Sequence, residues 1–219
     1  MKRPLIIIFG ILIADQLLKF WIKTTMYLGQ EYHIADWFIL HFTENNGMAF
    51  GMEFGGNYGK LALSLFRIIF IAGISIYLRR LVKEKSDPLY ITCIAMVIAG
   101  AAGNIIDSAL YGILFSSSEF QIAQFLPAGG GYSTFLHGKV VDMFYFPVLH
   151  GTYPSWFPLW GNEDFLFFRP VFNLADASIS IGVILMVIFQ KRFFTEHNVE
   201  KINDPLIAGS ESGDPESTQ

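Results

Sequence analysis

Four stretches of this chain are apolar over enough consecutive residues to cross a bilayer: 4–24, 61–78, 89–107 and 174–191. Each approaches the ~20 helical residues that a hydrocarbon core ~30 Å thick requires. Lipid offers no partners for backbone amides, so each run is expected to be a helix and the four to form a bundle. Composition points the same way. The 219 residues are 53% hydrophobic and 16% aromatic, with a mean hydropathy of +0.43, as in a small polytopic membrane protein. The net charge of −4 argues against nucleic acid as a partner. Cys93, the one cysteine, falls inside the third run. That excludes a disulfide framework and puts the thiol at the wrong depth for a catalyst.

Lys2 and Arg3 precede the first run, as in a signal peptide, but no small-x-small cleavage site follows and Asp15 and Lys19 interrupt it. These two lie four apart on one helical face and can pair. Charges inside a spanning helix face the protein interior and are functional candidates. Arg67, inside the second run, is expected to face the bundle or to snorkel. Gly100 and Gly103 in the third run permit close helix approach. Lys2, Arg3, Arg79, Arg80, Lys83, Lys85, Lys191 and Arg192 all flank one side. The positive-inside rule then puts both termini in the cytoplasm and the connections 25–60 and 108–173 outside.

The first outer connection is polar and aromatic. Tyr32 to Phe42 reads as a strand, Asn45-Asn46-Gly47 as a turn, and Ala49-Phe50-Gly51-Met52 as a possible return strand. The second outer connection carries the glycine run 129–131, read as a flexible loop, and then many aromatics suited to the interfacial belt. Residues 1–194 are expected to form one membrane domain. It is mainly α, a four-transmembrane-helix bundle with a small extracytoplasmic β-sheet and an extended extracytoplasmic loop. The polar tail 195–219 is expected to be disordered and cytoplasmic.

This topology gathers the polar signals at one face. Asn104 and Asp107 end the outward third helix, and Asn173 and Asp176 begin the inward fourth. Asn45 and Gly47 sit in the first outer connection, and Asp142 lies among apolar residues in the second. Taken alone, Asn173 and Asp176 do no more than cap and start a helix. Two carboxylates brought close, however, cannot both ionise. One then takes a proton from water while its protonated partner serves as acid, the requirement of an aspartic protease. Spacing does not say which two of Asp107, Asp142 and Asp176 make the pair. No histidine spacing suits a metal, no serine sits in a nucleophile elbow, and no Gly-Lys-Ser/Thr follows the glycine run. The rival reading is a non-enzymatic transporter or assembly subunit, with Asp15, Lys19 and Arg67 lining a path. Against it, transporter sites lie at the midplane, not at one face.

Five motifs occur in order: Asp15-x-x-x-Lys19, Asn45-x-Gly47-x-Ala49-Phe50, Gly103-Asn104-x-x-Asp107, Val140-Val141-Asp142 and Phe172-Asn173-x-Ala175-Asp176. Together they resemble the lipoprotein signal peptidase (signal peptidase II) family of bacterial membrane aspartyl peptidases. The resemblance implies a catalytic pair at Asp142 and Asp176. It implies support or substrate binding by Asn45, Gly47, Asn104, Asp107, Asn173 and Ala175, and structural roles for Asp15 and Lys19. It implies no metal and no cofactor. It also implies cleavage of diacylglyceryl-modified prolipoproteins just before the modified cysteine, in the bacterial cytoplasmic (inner) membrane among membrane lipids, and inhibition by globomycin. The apolar setting of Asp142 makes it the expected holder of a shared proton. Two departures stand out. The family's usual Arg after the third-motif Asp is Ser108 here, with Lys139 and Arg169 as conceivable substitutes. The intervals from Asp107 to Asp142 and from Asp142 to Asp176 are also long, as if insertions formed an aromatic flap or membrane-resting arm.

Overall fold

The structure, a computed structural model, describes residues 2–46, 56–147, 149–152, 154–156, 158, 164–167 and 171–193. Gly47, the expected return strand at Ala49-Phe50-Gly51-Met52, Arg169 and the tail 195–219 lie outside the described residues.

The first helix, α1 (Lys2–Thr25), is built inside out. Asp15, Lys19 and Lys23 recur every four residues, so they share one face, and all three are buried. Ile6, Phe9, Ile13 and Leu17 are exposed on the opposite side. A polar stripe therefore faces protein and an apolar surface faces lipid. The next segment departs from the single strand expected over Tyr32–Phe42. It breaks at Asp36-Trp37 into a hairpin of β1 (Glu31–Ala35) and β2 (Phe38–Asn45), with Tyr32 opposite Leu40. Asp36 is a turn-forming residue, and apolar/polar alternation starts only beyond it.

Helix α2 (Gly56–Lys83) and helix α3 (Pro88–Ile106) are joined by a tight turn. Asp87 caps α3, its Oδ1 accepting from the amides of Leu89 (2.7 Å) and Tyr90 (3.3 Å), with Pro88 in the first turn where a missing N–H does no harm. The third helix does not stop at Asp107 as expected. It passes through a π turn (Asp107–Tyr111) and a last turn, α4 (Gly112–Leu114). Strand β3 (Val140–Tyr145) then pairs antiparallel with β2, completing the sheet order β1-β2-β3. A separate hairpin joins β4 (Leu149–Thr152) and β5 (Asp164–Phe167). Helix α5 (Leu174–Ile188) has 15 residues.

Among the described residues, three helices are long and apolar enough to cross a membrane, Lys2–Thr25, Tyr58–Lys83 and Pro88–Leu114, and Leu174–Ile188 is a shorter apolar helix. α3 is the hub, packing against α5, α1 and α2. Gly100 lets α3 and α5 approach closely: a Cβ there would stand 2.2 Å from the Ala175 carbonyl oxygen of α5. One apolar cluster (Leu78, Leu81, Ile94, Ile98) packs α2 on α3 near their shared turn. A second (Ile22, Phe42, Tyr111, Phe115, Val141, Met143 and neighbours) joins the other end of the bundle to the sheet.

Candidate active site

The fold brings β3 and the start of α5 together through a short backbone bridge. Phe144 donates to the Phe172 carbonyl at 2.8 Å, and Phe172 donates back at 3.1 Å. The residues flanking that bridge, Asp142 and Asn173, are thereby set side by side. Asn173 caps α5: its Oδ1 accepts from the Asp176 amide at 2.9 Å, and Asp176 Oδ2 accepts from the Asn173 amide at 3.4 Å, a reciprocal capping box. The other end of the same side chain, Asn173 Nδ2, donates to Asp142 Oδ1 at 2.7 Å. One asparagine thus touches both candidate catalytic acids.

Each carboxylate has a second amide partner. Asn45 Nδ2 donates to Asp142 Oδ2 from the end of β2, and Asn104 Nδ2 donates to Asp176 Oδ1 at 2.8 Å. Asn104 cannot flip, because its Oδ1 accepts from Lys19 Nζ at 3.0 Å and from Asn173 Nδ2 at 3.1 Å. Asp142 is 2% exposed and Asp176 half-buried. Burial, reinforced by the charge of Asp176, pushes the Asp142 carboxyl up to about 8.

Asp107 takes a different place. It is fully buried and pairs with Lys19 at 2.8 Å, while Lys19 pairs with Asp15 at 2.9 Å. Asp107 Oδ2 also accepts from the Val141 amide at 3.3 Å, so it holds the strand that carries Asp142. Asp15 Oδ1 accepts from the Ala175 amide at 3.0 Å, closing the first turn of α5. Ala175 itself is a buried packing residue against Gly100 and Gly103. Asp15, Lys19, Asn45, Asn104, Asp107, Asp142, Asn173 and Asp176 form one connected network. Among the described residues, no group of three His, Cys, Asp or Glu could hold a metal ion.

Two members of this network escaped the motif reading. Gln16 Nε2 donates to Asp107 Oδ1 at 2.9 Å, and the Tyr111 hydroxyl donates to Gln16 Oε1 at 3.2 Å. The available signal was a glutamine next to Asp15 inside an apolar run. Of the cations, Lys139 lies 3.8 Å from Glu44 and so faces the hairpin instead of the acid pair. Ser108 is buried and spends its hydroxyl on the Asn104 carbonyl at 3.0 Å. Arg67 of α2 is the guanidinium in the field of the site, interacting electrostatically with Asp176 and then Asp107.

The family model for signal peptidase (SPase) II matches residues 7–192. The lipoprotein signal peptidase of Porphyromonas gingivalis is 54% identical over 184 residues, covering 83% of this chain and 80% of its own length. That of Amoebophilus asiaticus is 35% identical over 203 residues, covering 91% and 81%. A bacterial membrane enzyme solved by the in meso method shares the fold at a TM-score of 0.56 with 22% identity, over 100% of this chain and 96% of that one. A second in meso bacterial membrane enzyme gives 0.55 and 25%, over 86% and 92%. With its motifs joined in one network and the family match running across nearly the whole bundle, the chain belongs to the signal peptidase II family and is an aspartic peptidase, a hydrolase.

Proposed function

We propose that this chain removes signal peptides from diacylglyceryl-modified prolipoproteins, cleaving just before the modified cysteine with Asp142 and Asp176 as the catalytic pair. One observation carries the assignment: Asn173 bonds to both acids, while Asp107 is committed to Lys19 and Val141. Of the three candidates, the two that share Asn173 as a partner are the pair, Asp142 through its side-chain amide and Asp176 through the capping box.

The chemistry follows from the raised carboxyl of Asp142. Asp176, as carboxylate, takes a proton from water, and the hydroxide attacks the scissile carbonyl carbon. Asp142 gives its proton to the carbonyl oxygen, leaving a neutral tetrahedral intermediate. On collapse Asp176 returns its proton to the departing nitrogen, the C–N bond breaks, and Asp142 recovers a proton from the intermediate's hydroxyl. The pair ends as it began. The amides of Asn45, Asn104 and Asn173 aim the carboxyls throughout.

The setting belongs to the same reading. α5 acts as a fourth span, both termini are cytoplasmic, and the acid pair opens toward the outer face of the cytoplasmic membrane, where a lipidated cysteine is presented. Globomycin is expected to compete for this site. The transporter reading loses two of its three features, since Asp15 and Lys19 are sealed in a closed ion cluster.

The test is cleavage of a diacylglyceryl-cysteine prolipoprotein peptide in lipid. Asp142→Asn and Asp176→Asn should each lower turnover by at least about 10³-fold, at the strong end of general acid–base effects, with expression and thermal stability retained. Normal cleavage by either variant would sink the assignment.

A further inference from the structure

The segment 116–126, part of the long interval before Asp142, is built as a rigid projection. Its base is closed by the Phe115–Phe125 bridge, by Leu126 donating to the Leu114 carbonyl at 2.7 Å, and by Ser116 donating to the Gln124 carbonyl at 3.0 Å. Its middle is pinned from inside. Ser118 is 1% exposed; its Oγ accepts from Lys23 Nζ at 2.8 Å and donates to Glu44 at 3.2 Å, and its carbonyl accepts from the Leu28 amide at 2.9 Å. Ala123 is buried in the apolar cluster beside the sheet. Lys23 is itself buried, bound to Glu44 and lying 4.9 Å from the Tyr132 ring centroid.

This scaffold exposes apolar side chains. Phe120 at the tip is 98% exposed, Leu126 63% and Ile122 50%. Phe120 and Leu126 have φ of +59° and +51°, a left-handed conformation that such residues rarely adopt. Glu119 is the one formal charge between 116 and 126. A water-facing loop needs neither the strain nor the phenyl ring. The neighbouring surface says what covers it. Phe125 packs edge-on against Phe20 of α1, ring centroids 5.3 Å apart, and Phe20 and Trp21 are exposed on the lipid-facing side in the last apolar turns of that helix. The projection thus extends the lipid-facing wall of α1 sideways at the level where Lys23, Thr24 and Thr25 end its apolar run. Aromatic side chains favour that boundary.

We propose that residues 116–126 form a membrane-dipping anchor that buries Phe120, Ile122 and Leu126 in the leaflet at the C-terminal end of α1. The partner is the headgroup–acyl boundary of the bilayer. The segment itself carries no cation, and Lys23, which holds it from beneath, is turned inward, so the contact is apolar. This inference rests on α1 spanning the bilayer.

The test places a nitroxide at Phe120→Cys in full-length protein carrying Cys93→Ala, reconstituted in phosphatidylcholine vesicles. Phe9→Cys, exposed in the N-terminal half of α1, is the lipid reference, and Lys85→Cys in the α2–α3 turn is the aqueous reference. Collision with oxygen over a water-soluble nickel chelate at Phe120 should exceed that at Lys85 several-fold and approach that at Phe9. A nickel-accessible Phe120 beside a lipid-immersed Phe9 would overturn the anchor alone. So would shielding from both reagents, which would mean a protein partner covers the tip. A nickel-accessible Phe9 would overturn the span and the anchor with it.

Discussion

Lys19 holds the site together from underneath. Its ammonium reaches Asp15, Asp107 and Asn104 at once, at 2.9, 2.8 and 3.0 Å, with no exposed surface. A buried pair of this kind adds little net stability over an apolar packing, but breaking it strands an uncompensated charge. Lys19→Met should therefore cost about 3–5 kcal/mol, seen as a lower unfolding temperature in detergent. It should also free Asn104 to turn its amide away from Asp176, so residual activity should fall further than the stability loss explains. A variant as stable and active as the parent would contradict both expectations. In the proposed mechanism Asp142 sets the pH response. Its carboxyl is pushed up to about 8 by burial and by the charge of Asp176, and the proposed mechanism uses its protonated form. The sign is fixed: activity persists below that value and is lost as pH rises through it. The kcat/KM profile should show an alkaline limb near pH 8, an apparent value that belongs to the pair and not to either acid alone. An alkaline limb absent up to pH ~10, where tyrosine titrates, would separate the activity from Asp142.

At the scale of elements, what the sequence made legible and what it hid divide by distance along the chain. The apolar helices and the inward stripe of Asp15 and Lys19 are local patterns, readable because helical neighbours recur every three to four residues. The same rule extended one more turn would have found Lys23, buried on that stripe. The hairpin break at Asp36-Trp37 was hidden because its turn lacks the usual Asn-Gly or Asp-Gly signature. The π turn at Asp107 and the bridge between Phe144 and Phe172 are set by packing between distant segments, which no local pattern encodes. That bridge sets Asp142 beside Asn173, a neighbourhood that spacing does not encode, so spacing alone left three acids open. The glycine run divides as well: a Cβ at Gly131 would meet the Gly112 carbonyl oxygen at 2.1 Å, so that residue is docked against α4. The α3–α5 contact is the element-scale feature most open to test. A Cβ at Gly100 would stand 2.2 Å from the Ala175 oxygen and 2.7 Å from Ile179 Cγ1, so α5, which carries Asp176, would have to shift. Gly100→Ala should lose about 1–3 kcal/mol, as overpacking does, and lower kcat more than KM rises. Gly73→Ala, with nothing within 4 Å of the added Cβ, should change neither.

At the scale of the whole molecule, two polar contacts between α3 and the helical stretch that continues α5 mark levels along the bundle. Arg192 pairs with Asp87 at 2.6 Å, and Asn104 bonds to Asp176 at 2.8 Å. Seventeen residues separate Asp87 from Asn104, and sixteen separate Asp176 from Arg192. At ~1.5 Å per residue, either helix sets the two levels roughly 25 Å apart. If the Arg192–Asp87 pair sits at the cytoplasmic boundary, as the proposed topology has it, the carboxylate of Asp176 lies about 5 Å short of the far edge of a ~30 Å hydrocarbon core. The sheet and Asp142 close over it from above, which gives a reason for the burial of Asp142. Hydrolysis at that depth needs the scissile bond drawn slightly into the membrane, which suits a substrate whose cysteine carries acyl chains. Membrane thickness should then control turnover. In vesicles of monounsaturated phosphatidylcholines with progressively longer chains, the acid pair is carried deeper and water reaches it less, so cleavage should slow several-fold in the thickest bilayers. In detergent micelles, which impose no fixed depth, the same preparations should be equally active. A cleavage rate indifferent to chain length would place the pair outside the hydrocarbon layer and refute the depth argued from the two levels.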